Sequence, residues 1–167
     1  MSFVGRGMTH GHVVSDRCEW LTPKYIIDDL GPFDLDPCSS VYQKFPTATR
    51  QLTKEDDGLI TPWHGLVWMN PPYGRNISAW IERLHQHGSG IALIFARTET
   101  EAWWDHVWSA ASSILFIKGR IHFLKPDGTE AKDNSGAPSA LVAYGDVAAE
   151  RLRRRKVIEG KLVPLLT

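Results

Sequence analysis

The amino-acid sequence predicts an α/β fold built on a mainly parallel, doubly wound sheet that closes with an antiparallel hairpin. Short apolar runs of strand length, such as 91–96 and 113–117, alternate with segments of helical periodicity, such as 77–85. This alternation is typical of strand–helix–strand units, which form parallel sheets. After 113–117 the chain begins a hairpin-like excursion at Lys118 and returns through the apolar run 140–144, which predicts the antiparallel closure.

The composition is that of one globular domain. The chain has 167 residues, of which 43% are hydrophobic and 23% are charged, and this is enough for a sizeable core. No apolar run approaches the ~18 residues of a membrane span, and the first residues lack the apolar core of a signal peptide. Cys18 and Cys38 lie far apart, without the spacing of a zinc site or a disulfide framework. We therefore expect a cytoplasmic protein that binds no membrane and no metal.

The chain divides into three parts. Residues 1–15 are rich in glycine and histidine, have no periodicity and predict a flexible N-terminal segment. Residues 16–150 carry the alternating pattern and form the main domain, whereas residues 151–167 form a basic C-terminal tail. Because the formal net charge is zero, any contact with nucleic acid must come from local basic patches.

The first helix is predicted between Thr22 and Gly31. Thr22 is suited to cap its N-terminus, Pro23 to occupy the first helical position and Gly31 to end it. Three apolar residues in the middle of this segment would form the buried face.

Two short strands are predicted next, and carboxylates follow each of them. Residues 33–36 form a strand that ends in an aspartate and is broken by Pro37, while residues 47–53 form a second strand before an acidic turn with Asp56 and Asp57. A carboxylate at such a strand end can accept hydrogen bonds from an ammonium group, or from the hydroxyls and amines of a nucleoside.

The central strand is predicted at 65–69 and leads into an unusual loop. Pro71 and Pro72 have no N–H groups and hold their backbone at a fixed φ, so the strand cannot continue. The chain therefore leaves the strand as a stiff loop that presents the Asn70 amide, two carbonyls and the Tyr73 ring. Ligands of open α/β sheets bind at the carboxyl ends of strands.

This loop suits one kind of chemistry. The Asn70 side-chain oxygen and the Pro71 carbonyl can accept the two hydrogens of an exocyclic base amine, which draws its nitrogen toward sp³ geometry and directs its lone pair at an electrophilic methyl group. Tyr73 can stack on the base, a contact worth about 1–3 kcal/mol. Neither a metal nor a covalent nucleophile is needed.

The remaining elements follow from periodicity. Residues 77–85 predict a helix with one apolar face. Residues 101–112 predict another, with Trp104 and Trp108 in the core. Between the last two strands, residues 125–137 predict a polar, mobile loop.

Seven short segments occur along the chain in one order: Trp20-x-Thr22-Pro23-Lys24, Phe33 to Cys38, Asp56 to Leu59, Trp68 to Gly74, Ala96-Arg97-Thr98-x-Thr100, Lys118-Gly119-Arg120-Ile121-x-Phe123 and Pro138 to Leu141. Together they resemble the phage-type DNA N6-adenine methyltransferases, the Dam-like family, over roughly residues 19–145. The resemblance implies a Rossmann-like methyltransferase fold for residues 16–150, S-adenosyl-L-methionine as cofactor, double-stranded DNA as substrate, and a bacterial or phage-infected host cell.

The resemblance also implies roles for individual residues. The catalytic residues would be Asn70, Pro71, Pro72 and Tyr73. The cofactor-binding residues would be Thr22, Pro23, Asp36, Pro37 and Cys38 at the methionine end, and Asp56 or Asp57 at the adenine end. The glycine-rich turn that usually follows the first cofactor motif is replaced here by Cys38-Ser39-Ser40, which leaves the ribose-binding acid open.

DNA contacts are predicted from the same comparison and from charge. A target adenine must be extruded from the duplex to be methylated, and Phe123 is expected to pack on it. Phosphate contacts are expected from exposed basic residues: Arg75, Arg97, Lys118, Arg120, Arg153, Arg154 and Arg155.

Three alternatives stay open at this point. The same loop would serve methylation of a planar amine in RNA or protein, or of cytosine N4. A catalytically inactive relative that only binds DNA is a further possibility. The sequence specifies neither the DNA recognition site nor the oligomeric state.

Overall fold

A computed structural model describes residues 20–131 and 136–165. Its strands are β1 (Leu35–Asp36), β2 (Arg50–Gln51), β3 (Val67–Met69), β4 (Gly90–Phe95), β5 (Ser113–Ile117), β6 (Ser139–Tyr144) and β7 (Gly160–Pro164). Its helices are α1 (Lys24–Leu30), α2 (Ile77–His87), α3 (Glu101–Trp103), which continues as a π-helical turn over Trp104–Trp108, and α4 (Asp146–Arg154). The N-terminal segment 1–15, predicted to be flexible, lies outside the described residues.

The predicted α/β class is confirmed, but the sheet is mixed. Its strand order is β2-β1-β3-β4-β6-β5-β7. β1 pairs in parallel with β2 and β3, and β3 with β4. β6 is antiparallel to both β4 and β5, and β5 is antiparallel to β7. The expectation of a mainly parallel sheet is therefore wrong for the second half of the sheet. β5 and β6 are consecutive in the chain and pair in antiparallel, but β6 lies between β4 and β5 and β7 occupies the edge, so this pair does not end the sheet.

Helices cover both faces of this sheet. α1 and α4 pack on one face together with Trp68 and Leu93, whereas α2 and the Trp103 segment pack on the other face together with Val67 and Met69. Successive residues of β3 thus serve opposite cores, as the period of two of a strand requires. Among the described residues, no helix is long and apolar enough to span a membrane.

Two predicted side-chain placements are corrected. Helix α1 begins at Lys24, and Pro23 occupies its capping position. Thr22 was expected there, but its side chain is buried and does not cap the helix. Trp104 was expected in the core but is 64% exposed, and Trp103 is buried in its place. The physical reason is a hydrogen bond of 3.1 Å from the Trp103 indole N–H to the carbonyl of Phe95, which turns Trp103 toward the sheet.

The C-terminal region is part of the fold and not a tail. Residues 151–154 are the last turn of α4, and residues 160–164 form the edge strand β7, which the sequence did not predict. Arg155 joins the two elements, since its guanidinium donates hydrogen bonds of 2.7, 2.8 and 3.1 Å to the carbonyl oxygens of Leu152, Ile158 and Gly160. These contacts occupy the side chain in a structural role, which corrects its assignment as a DNA contact.

A carboxylate of α1 holds the same junction from the other side. Asp29 accepts hydrogen bonds of 2.8 and 2.9 Å from the backbone N–H groups of Lys156, Val157 and Ile158. Although partial burial opposes it, these three bonds and the Arg155 charge lower the pKa of Asp29. The α4–β7 connection is therefore fixed to the opening helix.

We expect Arg155→Ala to lower the free energy of unfolding by about 2 kcal/mol, because it leaves three carbonyls without their charged donor. The matched control is Arg154→Ala, which removes only an exposed ion pair with Glu150 and should cost less than about 1 kcal/mol. Urea denaturation followed by tryptophan fluorescence measures both. Equal losses would contradict the structural role of Arg155.

Candidate functional site

A cavity of about 730 Å³ opens where β1 and β3 end, a size typical of small-molecule sites. The four predicted catalytic residues all line it, as do five of the predicted cofactor residues: Thr22, Asp36, Pro37, Cys38 and Asp57. Pro23 and Asp56 are not part of its lining. The parallel pairing of β1 with β3 brings these two loops together.

The side chain of Asn70 is held in one orientation. Its amide NH₂ donates hydrogen bonds of 2.9 Å to the carbonyl of Trp20 and of 3.2 Å to the hydroxyl of Thr22. Because a carbonyl can only accept, the nitrogen must face this side and the oxygen Oδ1 the other. Oδ1 is buried and has no partner among the described residues. Asn70 therefore offers a free acceptor in a residue that lines the cavity.

Tyr73 is held by the neighbouring strand. Its ring stacks on Phe95 at the end of β4, with ring centres 4.1 Å apart and planes at 18°. Its hydroxyl is buried without a partner in the described part of the chain, and burial raises the pKa of that hydroxyl. Since Phe95 occupies one face of the ring, a base could stack only on the other.

Asp36 is a buried carboxylate at the end of β1, 3% exposed. Its oxygens accept hydrogen bonds of 2.5 Å from the hydroxyl of Thr47 and of 3.1 Å from the backbone N–H of Cys38. Burial is the main influence on its pKa and raises it to about 6, although both hydrogen bonds act in the opposite direction. Within residues 20–131 and 136–165 no cation forms an ion pair with it.

A side-chain network stands where a glycine-rich turn was expected. The side-chain oxygen of Gln51 accepts hydrogen bonds of 3.1 Å from the backbone N–H of Thr47 and of 3.2 Å from the hydroxyl of Ser39. The Ser39 backbone N–H in turn donates to the carbonyl of Leu52 at 2.8 Å. Polar side chains, and not backbone flexibility, thus hold this loop against β2.

The structure separates the two candidate acids before β3. Asp56 accepts hydrogen bonds of 2.8 and 3.1 Å from the backbone and hydroxyl of Thr53 and stabilises its own turn. Asp57 lines the cavity, with a positive φ of 45°. The next residue must be glycine, because a Cβ on Gly58 would lie 1.8 Å from the carbonyl oxygen of Pro37. This close approach places Asp57 opposite the loop after β1.

The thiol of Cys38 is not prepared for nucleophilic attack. Burial raises its pKa well above the usual value, and the nearby charge of Asp36 raises it further. The thiol therefore stays protonated near neutral pH, and a protonated thiol is a poor nucleophile. Among the described residues, no group of three or more His, Cys, Asp or Glu side chains could hold a metal ion.

Phe123 is the clearest correction among the predicted DNA contacts. It is 1% exposed and packs against Trp20, with ring centres 5.8 Å apart, so its ring is not available to an extruded base. Trp20 lines the cavity instead. The sequence did not reveal that Phe123 is buried and that Trp20 lines the cavity, because the spacing of Phe123 from the basic residues carries no information about burial.

The predicted phosphate contacts differ in their surroundings. Arg75, Arg97 and Arg120 are exposed on the loops that follow β3, β4 and β5. These strands end at one edge of the sheet, because β4 and β5 are both antiparallel to β6. By contrast, Lys118 forms an ion pair of 2.7 Å with Glu159, and Arg153 and Arg154 share Glu150.

Several other lining residues are not among those predicted for the site: Ser39, Ser40, Val41, Gln43, Thr53, Lys54, Gly58, Leu59, Asn76 and Trp80. Gln43 illustrates the reason, since its amide reaches the carbonyl of Thr22 at 3.2 Å across 21 positions of the sequence. Only the polar character of residues 47–53 could have indicated in advance that Thr47 and Gln51 form hydrogen bonds at this site.

One family model matches the chain. It is described as DNA N-6-adenine-methyltransferase (Dam) and covers residues 11–159. The match includes every element that lines the cavity and ends one residue before β7 begins. Neither the curated proteins nor the solved structures contain a match to this chain.

We expect the free energy of unfolding of the unliganded protein to fall as pH rises from about 4 to about 6. In this range folded Asp36, with its pKa of about 6, retains a proton that the unfolded chain has already lost. The stabilisation is thus complete below about pH 4 and lost above about pH 6. Asp36→Asn should remove this part of the pH dependence, which urea denaturation across this range measures. Parallel pH profiles for the two proteins would contradict it.

Proposed function

The chain belongs to the DNA N-6-adenine-methyltransferase (Dam) family, and we propose that it transfers a methyl group from S-adenosyl-L-methionine to N6 of adenine in double-stranded DNA. The observation that carries the proposal is the unpartnered, buried Oδ1 of Asn70 in the cavity wall. A fixed acceptor without a partner is costly in a folded protein, and such groups concentrate where a ligand completes them.

The donor set of the cavity fits S-adenosyl-L-methionine. This cofactor carries a positively charged sulfonium methyl, an amino-acid end and an adenosyl end. Asp36 is a buried carboxylate without a cation among the described residues, which suits the ammonium group. Asp57 would accept a hydrogen bond from a hydroxyl or amine of the nucleoside, and Thr22, Pro37 and Cys38 also line the cavity. Asp56 is left out of this role by its bonds to Thr53.

Asn70 would act as a hydrogen-bond acceptor. Its Oδ1, with the carbonyl of Pro71, would accept the two hydrogens of the adenine amine and orient the nitrogen lone pair. The Asn70 NH₂ group is already engaged by Trp20 and Thr22, so it does not compete as a donor. Much of the rate enhancement would come from holding the two reactants in a fixed mutual orientation.

We propose that the target adenine is extruded from the duplex, at a cost of a few kcal/mol. The free face of Tyr73 would stack on it and offset part of this cost. Because Phe123 is buried, it would not contact the base itself but would pack against the ring of Trp20. Trp20, like Trp80, lines the cavity and is a further aromatic ring that a ligand there could contact.

The first experiment is transfer of labelled methyl from S-adenosyl-L-methionine to unmethylated duplex DNA, followed by digestion to nucleosides. N6-methyladenine is the expected product. N4-methylcytosine as the product would leave the proposed catalytic site unchanged but would show that the target base is cytosine. Labelling of RNA or protein but not DNA would overturn the proposed substrate.

Within this assay we expect Asn70→Ala to abolish methyl transfer and leave cofactor binding, measured by calorimetry, near that of the wild type. The reason is that the lost group contacts the acceptor amine and not the methyl donor. Gln86→Ala is the matched control, because Gln86 is exposed on α2 and its side-chain amide bonds, within the described part of the chain, to Glu82 alone. Full turnover by Asn70→Ala would show that the loop is not the catalytic site.

Salt dependence tests the proposed phosphate contacts. We expect Arg75→Ala and Arg97→Ala each to reduce the slope of log affinity against log salt by about 0.9, the value for one phosphate contact. Replacing Arg154 should reduce it less, because Glu150 already neutralises part of that charge. Equal slopes for the wild type and the two loop variants would exclude these residues from the DNA interface.

A further inference from the structure

The residues just before α1 are bonded to two separate parts of the site. On one side, Thr22 and the carbonyl of Trp20 accept hydrogen bonds from the Asn70 amide. On the other, Leu21 and Leu124 exchange backbone hydrogen bonds of 2.9 and 3.1 Å. Residues 20–22 thus link the catalytic loop to the segment that follows Arg120.

Thr22 adds a second hydrogen bond to the orientation of the Asn70 amide that the Trp20 carbonyl selects, since a carbonyl can only accept whereas a hydroxyl can donate or accept. An amide can rotate by 180° at little steric cost, which exchanges its oxygen and nitrogen. In the reversed orientation, Oδ1 would face the Trp20 carbonyl and the Thr22 hydroxyl, and the NH₂ group would face the cavity. A donor in that position would repel the hydrogens of an incoming amine.

We infer that Thr22 is a positioning residue for Asn70, which holds Oδ1 toward the cavity, and not mainly a contact for the cofactor. This inference rests on the proposed function of the site. Thr22 is 2% exposed, so bulk water cannot readily replace its oxygen. Removing the hydroxyl leaves the Trp20 carbonyl as the one acceptor on that side among the described residues.

The position of Thr22 depends in turn on the segment after β5. Leu124 is fixed by its bridge to Leu21, and Ala131 donates to the carbonyl of Phe123 at 2.9 Å, which closes that segment on itself. Phe123 packs against Trp20. Contacts between segments far apart in the chain therefore support the position of Asn70.

The test compares Thr22→Val, which keeps the shape and removes the acceptor, with Thr22→Ser, which keeps the acceptor. At saturating cofactor, we expect kcat to fall about tenfold in Thr22→Val, the effect of one hydrogen bond, and to be largely restored in Thr22→Ser. The cofactor Kd, measured by calorimetry, should not change. Unchanged kcat with a weakened cofactor Kd would overturn the inference.

Thr49→Val is the matched control. It makes the same chemical change in an exposed threonine whose hydroxyl donates to the Phe33 carbonyl at 3.3 Å, away from the cavity lining. We expect this variant to keep both kcat and the cofactor Kd. A tenfold loss of kcat in Thr49→Val would overturn the inference, since the effect would then not be specific to Thr22.

A second readout does not depend on activity. The side-chain amide signals of Asn70 in an ¹⁵N spectrum of the unliganded protein can be identified by their loss in Asn70→Ala. They should shift in Thr22→Val and stay in place in Thr49→Val. Signals that stay in place in Thr22→Val would overturn the inference even if the enzyme is active. If the wild type methylates no DNA, the proposed function fails, while the spectrum still decides whether Thr22 holds Asn70.

Discussion

The site depends on the parallel pairing of β1 with β3. Because Leu35 lies in register with Val67, the two strands end at one edge of the sheet, about 5 Å apart. Asp36 is the last residue of β1, and Asn70 directly follows β3. A second contact holds the segments before the two strands together, because the carboxylate of Asp34 accepts a hydrogen bond of 2.6 Å from the backbone N–H of Leu66. A buried carboxylate and an amide thus meet at the cavity without any long loop.

Two of the five buried side-chain atoms without partners in the described part of the chain belong to residues that line this cavity. Asn70 Oδ1 and the Tyr73 hydroxyl are buried without partners among the described residues, and Asp36 carries its charge in an apolar setting. Each feature destabilises the unliganded fold, while the surrounding apolar cores on both faces of the sheet support it. Polar groups that are fixed before a ligand arrives need no reorganisation when it binds. The Thr47–Gln51–Ser39 network supplies this rigidity where flexible glycines would not.

The fold changes which basic residues are candidates for contacts with DNA. Arg155 is occupied by three backbone carbonyls, and its neighbours on α4 share one glutamate. The arginines of the densest run of positive charge in the sequence are thus largely engaged by partners within the protein, although Arg153 and Arg154 are exposed. Arg75, Arg97 and Arg120 have exposed side chains and no ion pair within the described residues, and they follow β3, β4 and β5, on the edge where the cavity opens.

The sequence by itself determined the α/β class, most of the strand and helix positions and the cavity-lining loops at Asp36 and Asn70, because these depend on local periodicity and on the fixed backbone of proline. Tertiary structure decided the antiparallel insertion of β6, the edge strand β7, the burial of Phe123 and the structural role of Arg155. It also distinguished Asp57 from Asp56 and placed Thr22 against Asn70. These outcomes arise from contacts between residues far apart in the chain, such as the bond between Asn70 and Trp20, and no local pattern of apolar or charged residues encodes them.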